Sequence, residues 1–155
     1  MLHFIDREHE METLQREYNS NGASLVILYG RRRVGKTTLI SEFIRDKKAM
    51  FFLASEESEA QNRVAFKDMA ADFIDSELLR AASTLSWDAI FRAILDAPFD
   101  SKPVIVIDVF QYIGKSNPAF PSVFQRIWEE QLKGKSVMII LCGSLISMMV
   151  SQTGG

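Results

Sequence analysis

Cysteine is almost missing from this chain. Cys142 is the only one in 155 residues, so no internal disulfide can brace the fold, and a lone thiol inside an apolar run fits a reducing compartment. Histidine is nearly as scarce: His3 and His9 are the only two. Neither has metal-ligating companions at useful spacing, which argues against a histidine-based metal centre and leaves both as structural or surface residues. No charge of one sign dominates. Eighteen basic residues face twenty acidic ones, a net charge of −2, so neither a basic field for nucleic acid nor an acidic tail is present. No apolar run approaches the roughly 18–20 residues that span a bilayer. The opening MLHFIDREHE lacks the apolar core of a signal peptide. Repeats and low-complexity tracts are absent as well. These absences describe a single domain, residues 1–155, with one core and a cytoplasmic location.

What is present alternates between two periodicities. Val104–Asp108 and Val137–Cys142 are apolar runs rich in β-branched residues and read as buried strands; Leu25–Tyr29 and Met50–Leu53 are shorter runs of the same kind. Helical patterns separate them. Met11, Leu14 and Tyr18 share a face of a first helix that Asp6 can cap, and Leu39, Ile40, Phe43 and Ile44 line the inner face of a second. Ser58 with Gln61 forms a capping-box pattern opening a helix through about Phe73. Ser86 caps a helix ending near Asp96, and Pro121 opens another that runs to about Lys133 and stops at Gly134. Strands alternating with helices predict an α/β fold, a mainly parallel sheet with helices on both faces. Ligands of such sheets bind at the carboxyl ends of the strands.

One segment there is specific. Gly30-Arg-Arg-Arg-Val-Gly35-Lys36-Thr37 satisfies G-x-x-x-x-G-K-[ST] between a predicted strand and a predicted helix, the context that a phosphate-binding loop requires. Gly30 and Gly35 permit backbone angles that a Cβ would hinder and let main-chain N–H groups approach phosphate oxygens. The helix beginning near Lys36 adds the partial positive charge of its N-terminus. Lys36 carries a point charge to the β- and γ-phosphates, the Thr37 hydroxyl ligates Mg²⁺, and Thr38 offers its N–H and hydroxyl to the α-phosphate. Arg31, Arg32, Arg33 and Val34 complete the loop. Its three arginines have several readings: phosphate contacts, a neighbouring subunit's nucleotide, nucleic acid, or a solvated face.

Asp108 ends the strand Val104–Asp108 and suits the second metal-binding acid of such sites, holding Mg²⁺ through water. The next residue is Val109, which can neither accept a proton nor orient water. Two substitutes are available. Glu56 and Glu57 follow Met50–Leu53 and supply a carboxylate if that strand pairs beside Asp108; a solvated acidic loop is the alternative. Gln111 can orient water without acting as a base. Ser144, after the strand Val137–Cys142, is either a sensor of the γ-phosphate and attacking water or the N-cap of a helix over Leu145–Val150. Trp87, Trp128, Met148 and Met149 read as packing residues.

Four segments, FIDREHEMETL, ILYGRRRVGKTTLISEF, VIVIDVFQYI and IILCGSLISMM, resemble the prokaryotic AAA+/STAND-type ATPases often called archaeal ATPases, and they spread over nearly the whole chain. The resemblance implies a three-layer P-loop core in which the last-named strand lies between the other two motif-bearing strands, with order fifth, first, fourth, third, second. It implies ATP as the nucleotide and places Arg7 and Glu8 near the adenine. The family pattern reads Asp-Glu-Phe-Gln where this chain reads Asp108-Val109-Phe110-Gln111, so binding is expected to persist and hydrolysis to suffer. Family chains continue past the segment matching Gly143–Val150 into a fifth strand and a helical lid or winged-helix region. This chain is therefore expected to lack both, leaving Leu25–Tyr29 as an apolar edge that favours self-association or low stability.

Three functions follow from this reading. The leading one is an ATP- and Mg²⁺-binding ATPase core with impaired hydrolysis, in which Lys36, Ser144 and Gln111 serve what catalysis remains. The second is a nucleotide-dependent switch or scaffold for a protein partner. The third is a nucleic-acid-associated module working through Arg31–Arg33, to which the net charge lends little support.

Overall fold

The computed structural model describes residues 7–29, 35–83, 85–108 and 111–143. Four strands, β1 (Ser24–Tyr29), β2 (Ala49–Leu53), β3 (Val104–Asp108) and β4 (Met138–Gly143), form one sheet in the order β1-β4-β3-β2. Every pairing is parallel. Among the described residues β1 bonds only to β4 and β2 only to β3, so these two are the sheet edges. β4, the last strand among the described residues, is thus inserted between the first and third, as the resemblance implied. The strand bounds lie within a residue of those expected from the apolar runs.

The alternation of side chains explains why the sheet is covered on both faces. Leu14 of α1 (Arg7–Asn19) and Leu39, Ile40 and Phe43 of α2 (Lys36–Ile44) pack with Val26, Leu28, Val104, Val106, Met138, Ile140 and Cys142. The opposite parity, including Met50, Phe52, Ile105, Ile107, Ile139 and Leu141, meets the second helical layer. That layer comprises α3 (Glu59–Ile74), α4 (Glu77–Ala81), α5 (Trp87–Asp96), α6 (Gln111–Ser116) and α7 (Phe120–Ile127), the last continuing into a π turn, Trp128–Leu132. Phe66 stands at the centre of this side, fully buried, with its ring 5.3 Å from those of Phe52 and Trp87 and 5.4 Å from that of Phe91.

Local chemistry sets most helix ends. Ser58 and Gln61 form the expected reciprocal capping box, and Ser76 and Ser86 each accept an N–H from the first turn of their helices. α5 ends at Asp96, as Pro98 foretold. Three differences from the sequence expectation have physical reasons. α4 and α6, of five and six residues, are too short to display a helical period and were not anticipated. The helix from Pro121 does reach Leu132, but its end is a π turn in which Lys133 N–H bonds Trp128 C=O at 3.0 Å. Gly134 follows that end without acting as a left-handed cap: the positive-φ glycines among the described residues are Gly22 and Gly35. The proposed cap Asp6 lies outside the described residues. Within them, no helix is long and apolar enough to cross a membrane.

Phe66 bears the largest burden in the second layer, so Phe66→Ala is expected to cost about 3–5 kcal/mol by urea denaturation. Leu78→Ala, at a side chain 87% exposed, should stay within about 0.5 kcal/mol of the parent.

Candidate nucleotide site

The carboxyl ends of the strands converge on one edge, and the candidate residues gather there. Tyr29 of β1 is in register with Gly143 of β4, Leu28 with Cys142, and Leu53 of β2 with Asp108 of β3. Asp108 has the parity of Val104 and Val106, so its carboxylate stands on the α2 face of the sheet. A purely local signal, the apolar run ending in an acid, therefore becomes a placed oxygen donor once β3 is second from the β2 edge.

α2 opens from Gly35, whose φ of 77° and ψ of 24° are left-handed and supply no side-chain cap. An L-residue would be strained here, which is why the motif demands glycine. No acidic residue occupies the first turn, so the N–H groups and partial positive charge of this helix end are directed toward whatever lies past β1. Lys36 is 6% exposed, and its ammonium donates to the Gly143 carbonyl at 3.3 Å. That bond ties the start of α2 to the end of β4. Thr37 and Thr38 are exposed on the same turn.

Cys142 reports the electrostatics of the edge. Burial pushes its thiol well above the usual range, the Asp108 carboxylate pushes further, and Lys36 opposes both. Lys36, Asp108 and Cys142 thus share one electrostatic neighbourhood. The thiol itself is inert, a buried neutral group rather than a nucleophile.

The donor set fits a small hard cation. Asp108 and Thr37 offer a carboxylate and a hydroxyl, while no group of three or more His, Cys, Asp or Glu able to hold a metal occurs among the described residues. Two protein oxygens, with phosphate and water oxygens supplying the rest, match the way Mg²⁺ accompanies nucleotides.

The other candidates divide. Gly30, Arg31, Arg32, Arg33, Val34 and Ser144 lie outside the described residues, as does Val109. Arg7 and Glu8 begin α1 and Gln111 begins α6, with side chains outside the description. Glu56 and Glu57 do follow a strand paired beside Asp108: the N–H of Ala54 bonds the Asp108 carbonyl at 3.0 Å. With Tyr112 and Lys115 of α6 they line a cleft of about 470 Å³. Tyr112 and Lys115 were missed because α6 was not foreseen. Ser55 and Asn62, which shape the Glu56–Glu57 loop, gave no sequence signal beyond proximity to the Ser58 cap. Trp87 is a packing residue as expected, its indole N–H donating to Glu59 Oε2 at 2.8 Å. His9 is exposed on α1.

Comparison with known proteins converges on the same chemistry. A family model described as an ATPase domain predominantly from Archaea matches residues 4–154. An uncharacterised protein of Methanocaldococcus jannaschii is 34% identical over 146 residues, covering 94% of this chain and 30% of its own length. An ATP-binding protein of the same archaeon, also uncharacterised, is 58% identical over 45 residues, 29% of this chain and 76% of its own. The structure of the Aeropyrum pernix ORC2 protein, solved in ADPNP–ADP complexes, aligns with a TM-score of 0.68 at 18% identity, covering 97% of this chain and 44% of that one. The chain thus spans under half the length of the first relative and of this structural neighbour. The structural likeness speaks to the fold, that of a P-loop nucleotide-binding core.

The burial of Cys142 predicts that thiol reagents label the native protein slowly and the urea-unfolded protein at the rate of a free thiol. Ellman's reagent followed at 412 nm (about the absorbance of its product) would check this; rapid labelling of the native chain would contradict the packing described for β4.

Proposed function

Because the chain belongs to the family of ATPase domains found predominantly in Archaea, we propose that it binds ATP with Mg²⁺ at the Gly30–Thr38 edge and hydrolyses it slowly. The observation that carries this reading is the convergence at one sheet edge of the buried Lys36 ammonium, the left-handed Gly35 start of α2, and Asp108. Triphosphate oxygens are stronger acceptors for an ammonium than a neutral carbonyl. Lys36 therefore exchanges its Gly143 partner for the β- and γ-phosphates with little movement of its stem, which α2 already holds. Gly30, Arg31, Arg32, Arg33, Val34 and Gly35 present backbone N–H groups, Thr38 contacts the α-phosphate, and Arg7 and Glu8 border the base. Asp108 and Thr37 would hold Mg²⁺, which supplies charge neutralisation across the phosphates when bound.

For hydrolysis, Lys36 offsets the charge that develops as the terminal phosphoryl group leaves, and Ser144 and Gln111 orient water. Val109 contributes nothing to proton removal, and general-base assistance is worth about 10²–10⁴-fold. On this reading binding and turnover are separable, because the residues assigned to the phosphates are all present in the sequence while the residue after Asp108 is apolar.

Lys36→Ala should weaken ATP binding about ten- to a hundred-fold in calorimetric titration, the weight of a charge-assisted contact of about 1.5–3 kcal/mol. Val109→Glu should leave affinity near the parent value and raise turnover by about 10²-fold or more. Lys36→Ala binding ATP as well as the parent would overturn the site assignment. Unchanged turnover in Val109→Glu would show that the residue after Asp108 is not what limits hydrolysis.

A further inference from the structure

The loop between β2 and α3 is exposed, yet it is held with the care usually reserved for a core. Asn62 is 1% exposed and spends its whole amide on this loop. Its Oδ1 accepts the N–H of Ser55 at 3.0 Å, and its Nδ2 faces the carbonyls of Ser55, Glu57 and Ser58 at 3.1, 3.5 and 3.2 Å. The Ser58–Gln61 capping box closes the other end. On the sheet side, Ala54 N–H bonds the Asp108 carbonyl, so the loop leaves the sheet level with the metal-binding acid. Two carboxylates ride on this fixed backbone. Glu56 Oε1 lies 3.9 Å from Lys115 Nζ, a cation on α6. Glu57 Oε2 instead accepts the hydroxyl of Ser55 at 2.5 Å. Both face the cleft of about 470 Å³ that opens between the segments following β2 and β3.

From this geometry, and resting on the nucleotide-binding reading above, we propose that Glu57 is the general base for the residual ATP hydrolysis, with Ser55 as its positioning residue. Three features set Glu57 apart. Its carboxylate is oriented by a neighbouring hydroxyl, as a working base is by a third group. It lacks the lysine that draws Glu56 toward α6. It also rides on the loop that follows β2, the strand paired beside β3 and its terminal Asp108, and Asn62 already fixes the backbone of that loop. In the step assigned to it, the oxygen of a water molecule forms a bond to the γ-phosphorus while its proton passes to Glu57. The bond from that phosphorus to the bridging oxygen breaks, its electron pair stays on the β-phosphate of the departing ADP, and Glu57 then returns the proton to solvent. Reaching across one strand rather than standing beside Asp108 makes this base a slow one.

The test uses the whole chain. ATP affinity by titration calorimetry, single-turnover hydrolysis, and the identity of the nucleotide retained after gel filtration are compared for the parent, Glu57→Gln, Glu57→Asp and Glu56→Gln. Glu57→Gln should bind ATP within about two-fold of the parent, lose about 10²-fold in turnover, and retain ATP where the parent retains ADP. Glu57→Asp should recover part of the rate. Val109→Glu combined with Glu57→Gln should turn over as Val109→Glu alone, because a base beside Asp108 makes Glu57 redundant. Failure of the parent to bind ATP would sink the nucleotide reading itself. With binding intact, the assignment to Glu57 is overturned by equal turnover in Glu57→Gln and the parent, by no turnover in either, or by a loss confined to Glu56→Gln.

Discussion

The site depends on one constraint: β4 must lie between β1 and β3. All six residues of β4 are buried, with Val26, Leu28, Val104 and Val106 sharing one face and the α3, α5 and α7 side chains closing the other. A strand enclosed in this way carries no polar side chain and pairs its backbone on both sides. Its insertion brings the Gly143 carbonyl to Lys36 and separates β1 from β3, with its terminal Asp108, by one strand. A sheet in sequential order would put β2 rather than β4 between β1 and β3, and the Gly143 carbonyl would no longer lie beside Lys36.

Electrostatics follow from that enclosure. Lys36 is nearly buried and would be costly without a partner, and the Gly143 carbonyl meets part of that cost. Asp108 sits at the rim of the same edge, half-buried. Cys142 lies between these influences and is kept neutral by burial. Among the described strands the charged chemistry stands at strand ends, and the interiors are apolar.

The second helical layer has its own polar organiser. Glu59, at the start of α3, accepts from the Trp87 indole of α5 and from Asn117, which follows α6, and it also pairs with Arg63. The N-terminus of α3, the loop that precedes it, and the helix that follows Asp108 are thereby held to one another.

Much of this was legible before any coordinates. Strand bounds followed from β-branched apolar runs, and the Ser58 and Ser86 caps from side chains that compete for backbone N–H groups. α4 and α6 were not legible, because helices of five and six residues carry no period to read. The π turn after Ile127 was hidden too, since a local shift to i+5 bonding leaves no compositional mark. The residues themselves determined the pattern G-x-x-x-x-G-K-T before a helix, an acid at a strand end and a valine after it, because each is a matter of local side-chain chemistry. Tertiary structure alone decided that Leu53 stands opposite Asp108, that Asn62 is buried to hold the Glu57 loop, and that Lys36 rests on Gly143. Those contacts join residues distant in sequence, and only packing of the whole sheet against its two helical layers selects them.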